Sequence, residues 1–484
     1  MTIQEAWEAS PTRTVTARIA RERGVESYAV GGAVRDVLLG REPHDWDVAS
    51  RDALRLARAV ARELHAAFVW LHDMPATARV VIRGDQDGQT REELDYSDFR
   101  GDTIVEDLLA RDFTVNSMAW RMDEPGGEIV DPCGGRDDLS RRIIRANGPA
   151  VLHEDPLRCL RAFRLASELT FQIDPVTLQW IARHARLIGT IPGERIGAEV
   201  VRLAKHPDFP GWLRRMDEAG LLEYVLPELP DLKGVTQGPY HHLDVWGHTL
   251  LVVEEIERIA VEPEAVFPQS VEPVRSYLAD PDRLAHLKLA GLLHDAAKPQ
   301  TRTMMGARVR FPGHERVGVS MARRVAERLR LTRAGRTAIC RLTGEHMRPM
   351  LLVDSMEGEP PSLSATRRLL RDTDPDGVGL IVLAAADLLA CRGPGTNMDE
   401  QYAKLALLDS MLARHHEWEQ STQFEPLLRG RDLIEDLHLD PGPVFSVLLD
   451  EVERAQTDGE ITTREEALDL ARKMLLEGPP ETSP

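Results

Sequence analysis

Asp45 and Asp47 bracket Trp46 in the stretch "DWDVAS", shortly after the paired glycines of "GGAVRD". In an extended strand residues i and i+2 point the same way, so two carboxylates share one face and the indole takes the other. Like charges held side by side repel, and a divalent cation relieves the repulsion. Hard cations such as Mg²⁺ take oxygen ligands, commonly one or two carboxylates together with substrate phosphates. Gly31 and Gly32 let the backbone approach a phosphate, and the helix that follows offers free N–H groups at its start. Arg35 adds a guanidinium fork for phosphate oxygens. A glycine pair or an Asp-x-Asp alone is an ordinary surface feature. In this order and spacing the two together are specific and point to phosphoryl transfer.

A second set of reactive residues lies downstream. His248, the pair His294–Asp295 and Asp387 fall in "VWGHTLL", "LAGLLHDAAKP" and "AAADLLACR". An isolated histidine is more often a core or surface residue than a ligand. A His-Asp pair inside an apolar helix is different, because burying two polar groups is costly unless they are paired or liganded. Imidazoles and carboxylates suit a transition metal such as Mn²⁺, Ni²⁺ or Co²⁺, with Mg²⁺ also compatible. These four positions resemble the signature of HD phosphohydrolases, and that resemblance implies that His314 and His346 extend the site to a second metal and that Lys298 contacts a phosphate.

The elements that must position these groups are legible from pattern. Residues 27–146 read as mixed α/β. "SYAV", "WDVA", "AAFVWL", "ARVVIRG" and "EELDY" are strand-like runs, and "DALRLARAVARELH" has helical spacing with Asp52 placed to cap it. From residue 147 the pattern is helical almost throughout, with "DPLRCLRAFRLASEL" a clear helix. Asp155 and Arg158, three apart, are expected to share its face. Pro- and Gly-rich breaks such as "KHPDFPG" and "EGEPPS" mark seams, and "EGPPETSP" reads as a disordered end.

Composition bounds the class. With 484 residues the chain exceeds one ordinary core. Aromatic content is low at 5% and hydrophobic content ordinary at 42%, which suits helical packing of Leu, Ala and Val. No apolar run is long enough to span a bilayer, and "MTIQEAWEAS" lacks a signal pattern, so a cytoplasmic protein is expected. Cys133, Cys159, Cys340 and Cys391 are scattered, which argues against a disulfide framework or a thiolate zinc site. The net charge of −19 disfavours a nucleic-acid partner taken alone. A local basic stripe, Arg141, Arg142, Arg145, Arg158, Arg161 and Arg164, sits on that acidic body.

Five ordered stretches carry a resemblance. "GGAVRDVLLG…DWDVAS", "RDFTVNSMA", "DPCGG", "EDPLRCLRAFRLASEL" and "ERIGAE" are similar to motifs A to E of the class II tRNA nucleotidyltransferase and poly(A) polymerase family. The resemblance implies an α+β fold: a polymerase β-like mixed-sheet head, then an all-helical neck, body, HD domain and tail. It implies attack of an RNA 3′-hydroxyl on the α-phosphate of a nucleoside triphosphate, with Mg²⁺ held by Asp45 and Asp47. Aligning "LDYSDFR" makes Asp95 the candidate third carboxylate. Arg111 is expected to contact the nucleotide, with Asp112 and Asn116 holding that motif in shape. The family often has two arginines here, but the first is Ala110. Asp155 and Arg158 are implied to template the base of CTP or ATP, with Arg161 and Arg164 reaching the triphosphate.

His248, His294, Asp295 and Asp387 resemble the H…HD…D signature of HD phosphohydrolases; His241 and His242 do not fall on it. A hydrolase acting on 2′,3′-cyclic phosphates or related esters at RNA ends is the implied activity. The expected domains are a head at 1–146, a neck and body at 147–235, the HD domain at 236–395, a tRNA-binding tail at 396–476 and a disordered end at 477–484.

Full CCA-adding members carry a flexible loop before motif B, with a basic residue and an acidic one several positions on. Here only seven residues, Arg100 to Glu106, separate Phe99 from Asp107. Loop loss resembles the CC-adding branch, in which a separate enzyme adds the final A. The expected reaction is CC addition to the tRNA 3′ end from CTP. The alternatives are full CCA addition, A addition from ATP, or poly(A) synthesis. A stand-alone hydrolase or a passive RNA binder would not need both sets of metal-ligating residues.

Overall fold

The computed structural model describes residues 2–477 except 44, 84–89, 125, 307, 357 and 422–424, so most of the expected disordered end lies outside the described residues. The chain forms two compact units. One comprises residues 1–203 and 212–225, the other 204–211 and 226–484. Among the described residues no helix is long and apolar enough to cross a membrane.

The first unit is built on a seven-stranded sheet. Its strands are β1 (Ser27–Val30), β2 (Trp46–Ser50), β3 (Ala67–Asp73), β4 (Ala76–Arg83), β5 (Thr90–Asp98), β6 (Ala119–Arg121) and β7 (Ile129–Val130). They lie in the order β3-β4-β5-β2-β1-β6-β7. Most neighbours are antiparallel, but β2 and β5 pair in parallel, so the sheet is mixed as expected. Alternation decides the faces: Trp46 is 3% exposed, while Asp45 and Asp47 on either side of it are accessible. Trp46 meets Trp7 edge-on, with ring centroids 5.2 Å apart, and the Arg13 guanidinium sits 5.2 Å from its ring centroid. The N-terminal helices Ile3–Glu8 and Pro11–Glu22 thus cover the side of the sheet away from the carboxylates.

The helix Ala53–Glu63 forms where its spacing predicts, but Asp52 does not cap it. Asp98, at the end of β5, accepts the Ala53 N–H at 2.8 Å instead. A second departure concerns Asp155. The helix begins at Leu157, and Asp155 lies in an extended joint (φ −132°, ψ 92°) between it and the helix Pro149–Glu154. The cause is local: a residue before proline is pushed out of the α region, and Pro156 follows.

The second unit is helical apart from the ribbon Thr303–Met305 with Arg308–Arg310. Its centre is the helix Gly377–Ala390, "GVGLIVLAAADLLA", which is apolar on nearly every side and buried as such a helix must be. The helices Val245–Val261 and Pro281–Leu293 pack around it. The C-terminal helices Val444–Thr457 and Arg464–Glu477 enclose a separate small core around Leu433, Leu448, Val452 and Ala471.

Trp7 is 1% exposed and joins Trp46 to Trp120. Trp7→Ala is expected to destabilise the sheet-bearing unit by about 3–5 kcal/mol. Urea titration followed by tryptophan fluorescence should show that unit's transition moving to lower urea while the helical unit's stays in place.

Candidate active site and metal centre

The sheet register builds the first site. Across β2 and β5, Asp47 is the direct partner of Asp95; across β5 and β4, Asp95 is the partner of Arg79. Partners on one rung point to the same face, so Asp47, Asp95 and Arg79 form a row. Arg79 grips Asp95 with two bonds, Nε to Oδ1 at 2.7 Å and Nη2 to Oδ2 at 2.9 Å. Asp47 has no such partner. Crowding by protein atoms, with the nearby charges of Asp95 and Asp45, pushes its carboxyl pKa up against the pull of Arg111. An acid disfavoured in its ionised form by its neighbours is what a cation site looks like before the cation arrives. Asp45, Asp47 and Asp95 offer oxygen ligands of the kind Mg²⁺ takes.

Gly31 completes this corner. Its φ is +75°, and a side chain there would meet Arg111 Nη1 at 3.2 Å and Asp47 Oδ2 at 3.7 Å. Glycine therefore serves both the turn and the close approach. The short helix Gly32–Leu38 follows, and no side chain caps its first turn. Arg35 differs from the sequence reading. It is 7% exposed and is held by Asp36 (2.8 Å) and Asn116 (2.7 Å), so its fork braces the turn instead of standing open. Arg111 is oriented by Asp107 at 2.9 Å. Asp112 accepts from the Phe113 N–H and from Asn116 Nδ2, which ties motif B to itself.

Arg100 was not singled out from the sequence. Crowding, with the charges of Arg111 and Arg158, lowers its pKa. Three guanidiniums near enough to act on one another make a site for a polyanion.

Motif D is more constrained than its helical spacing suggests. Asp155 Oδ2 accepts from Arg195 at 2.8 Å, and Arg158 Nη1 donates to the Val151 carbonyl at 3.0 Å. Arg161 and Arg164 both donate to Glu199, at 3.2 and 2.6 Å, and Glu199 is 4% exposed. Burial makes that carboxylate demand partners, and the two arginines supply them. Arg195 and Glu199 both lie in "ERIGAE", a motif recognised by resemblance but given no role from the sequence.

The second site brings together every histidine and aspartate predicted for it. His248 lies on the helix Val245–Val261, His294 at the end of Pro281–Leu293, His314 at the start of His314–Arg328, His346 at the end of Arg333–Glu345, and Asp387 on Gly377–Ala390. The Nδ1 atoms of His294, His314 and His346 lie 2.7, 2.9 and 2.7 Å from the carbonyls of Gly291, Phe311 and Thr343. A carbonyl only accepts, so each Nδ1 is the donor and each Nε2 presents a lone pair in the neutral ring; burial opposes charge on His294, but Asp295 raises its pKa, so that ring favours a second proton that a cation would displace.

These lone pairs converge. His314 Nε2 and His346 Nε2 are 3.2 Å apart. Two imidazole nitrogens on a tetrahedral ion would be about 3.3 Å apart at ordinary metal–nitrogen lengths. Asp295 lies 3.1 Å from His294 Nε2 and 3.3 Å from His314 Nε2, while Asp387 is 3.0 Å from His248 Nε2. Neither ring nitrogen of the buried His248 makes a hydrogen bond of normal geometry, and nor does His294 Nε2. Burial lowers the pKa of His346 to about 4, so it stands as a neutral ligand. Burial also opposes charge on Asp295, but His294 and Lys298 hold its pKa well below the ordinary value. Lys298 contacts Asp295 at 2.6 Å and Gln237 at 2.7 Å, so it is engaged within the centre. Orphaned buried nitrogens and ionised carboxylates fit a divalent metal in kind and spacing.

Comparison with known proteins bears on both sites. Residues 27–145 match the Poly A polymerase head domain, 170–232 the probable RNA- and SrmB-binding site of polymerase A, and 245–390 the HD domain. The chain is 33% identical over 450 residues to a CC-adding tRNA nucleotidyltransferase of Thermus thermophilus, covering 91% of this chain and 92% of that one. The chain belongs to the tRNA nucleotidyltransferase and poly(A) polymerase family. Within this tRNA nucleotidyltransferase family it is also 32% identical over 462 residues to an A-adding enzyme of Deinococcus radiodurans, covering 93% and 96% of the two chains. The Thermotoga maritima CCA-adding enzyme complexed with tRNA has the same fold, with a TM-score of 0.66 at 20% identity over 98% of this chain and 99% of that one. Members with an HD domain and a nucleotidyltransferase head use divalent metals.

Asp45→Ala and Asp47→Ala are each expected to reduce nucleotide incorporation to background while circular dichroism stays unchanged. Incorporation at the wild-type rate by either variant would refute the carboxylate assignment.

Proposed function

We propose that this tRNA nucleotidyltransferase adds CC to the 3′ end of tRNA from CTP. The observation that carries this reading is the connection after β5. Only residues 99–103 separate β5 from the helix Ile104–Leu109, and they are tightly tied. The Arg100 N–H donates to Asp107, the Asp102 N–H to Glu106, and Thr103 caps the helix by accepting from the Glu106 N–H. A braced turn of this length leaves no room for the mobile loop that switches a pocket from C to A. Full CCA addition and A addition are the alternatives. The A-adding relative from Deinococcus radiodurans is as similar to the chain as the CC-adding one, so overall identity does not discriminate.

In the proposed mechanism Asp45 and Asp47, with Asp95 beside them, would hold Mg²⁺, which when bound would supply neutralisation of charge on the phosphates and on the attacking oxygen. The RNA 3′-oxygen bonds to the α-phosphorus of CTP, the bond to the β-phosphate oxygen breaks, and the hydroxyl proton leaves to solvent. Arg111, with Arg100, steadies the triphosphate. Arg79 keeps Asp95 aimed through its two hydrogen bonds. Asp155 and Arg158 present acceptor and donor groups to the cytosine edge, as side chains do to bases elsewhere. Arg161 and Arg164 brace this helix through Glu199, and the C-terminal helices hold the tRNA body. A separate A-adding enzyme would complete the end.

We further propose that the HD centre, with His248, His294, Asp295 and Asp387 as ligands and His314 and His346 beside them, hydrolyses 2′,3′-cyclic phosphates or related phosphoesters at RNA ends. Mn²⁺, Ni²⁺ or Co²⁺ suits its nitrogen-rich ligand set.

Two measurements test these readings. A tRNA ending at the discriminator base, given CTP alone and then CTP with ATP, should end in CC in both cases when sequenced. Efficient addition of A would replace CC addition with CCA addition. Joint replacement His294→Ala and Asp295→Ala should remove phosphoesterase activity and leave nucleotide addition unchanged; loss of both activities would count against independent sites.

A further inference from the structure

Two residues outside the HD signature stand against its His248 end. His241 Nε2 lies 3.5 Å from Cys391 Sγ, and the His241 and His248 rings are 4.7 Å apart between centroids. One ligand atom from each of His241, His248 and Cys391 lies within 4.8 Å of the other two. We propose that these three residues form a further cation position of the HD centre, one that takes a thiophilic divalent ion such as Zn²⁺, Co²⁺ or Ni²⁺ in preference to Mg²⁺.

Spacing supports this. With metal–sulfur and metal–nitrogen lengths of about 2.3 and 2.05 Å, a thiolate and an imidazole on one tetrahedral ion sit about 3.6 Å apart. The observed separation is 3.5 Å. Orphaned atoms support it independently. His248 is 1% exposed, and neither of its nitrogens makes a hydrogen bond of normal geometry.

The fold holds the corner in place. Cys391 ends the helix Gly377–Ala390, one turn beyond Asp387, so thiol and carboxylate belong to the same end of that helix. His241 comes from a separate loop, docked by backbone bonds from Gly393 N–H to the Tyr240 carbonyl (2.8 Å) and from Gly395 N–H to the Pro239 carbonyl (2.9 Å). A side-chain carbon at Gly393 would lie 2.6 Å from the His241 nitrogen and closer still to Pro239. Only glycine allows this loop to seat His241 against Cys391. Ion binding would release the thiol proton to solvent as the sulfur–metal bond forms, and His248 would also lose its ring proton where it bridges this ion and the signature ion.

The proposal rests on the reading of the HD centre as a metal site, and His248 is common to both ligand sets. Cobalt separates the two ideas. Full-length protein, stripped of metal and reloaded with Co²⁺, should show visible d–d bands together with a near-ultraviolet sulfur-to-cobalt charge-transfer band. Cys391→Ser should abolish the charge-transfer band and His241→Ala should weaken it, with d–d bands kept in both. The retained d–d bands, with an unchanged far-ultraviolet circular dichroism spectrum, would report intact folding of the helical unit. A wild-type spectrum with d–d bands but no sulfur band, or a sulfur band surviving Cys391→Ser, would overturn this corner and leave the signature centre standing. Absence of d–d bands from the wild type would overturn both.

Discussion

The parallel pairing of β2 with β5 sets Asp47 beside Asp95, and the head is organised around that placement. Two carboxylates on adjacent strands cannot both be ionised at low cost unless something positive stands near. The protein supplies fixed cations only in part. Arg79 neutralises Asp95 from the next strand, and Arg111 reaches toward Asp47 past Gly31. Asp47 and Asp45 are left with excess negative charge facing an open side. The opposite side is closed by Trp46, Trp7 and the N-terminal helices. The site is thus reactive on one face because the other face is packed.

The HD centre meets the same constraint with different groups. Backbone carbonyls take the Nδ1 protons of three histidines, which turns their Nε2 lone pairs toward one another and toward two carboxylates. Lone pairs at 3.2 Å repel as carboxylates do. Here the helices are apolar and tightly packed, so the polar atoms have nowhere else to turn. In both sites, burial and geometry withhold the partners that water would otherwise provide.

Much of the head was legible in the sequence. Alternating and apolar runs marked the strands, and the glycine turn with Asp45 and Asp47 marked the site. Errors arose where a distant residue competed with a near one. Asp52 lost the cap of its helix to Asp98, which arrives from β5. Arg35 was read as a fork for phosphate oxygens, and Asn116, far along the chain, takes part of that fork. Asp155 is a different case, since Pro156 beside it was a readable signal that the helix starts later. Cys391 carried a signal too, four residues after Asp387, but a lone cysteine has meaning only once His241 stands against it.

Residue identity and short spacing pointed to phosphoryl transfer, because carboxylate pairs and glycine turns carry their chemistry locally, and the resemblance of five ordered motifs made it nucleotidyl transfer. They also determined the α+β division, since period-2 and period-3.6 patterns are local properties. Tertiary structure alone decided which charges remain available. Sheet register gave Asp95 to Arg79, helix packing gave Arg161 and Arg164 to Glu199, and a docked loop brought His241 to Cys391. The physical reason is common to all three. A buried or crowded polar group takes whichever partner the fold brings within hydrogen-bonding reach, and that partner is set by contacts far apart along the chain.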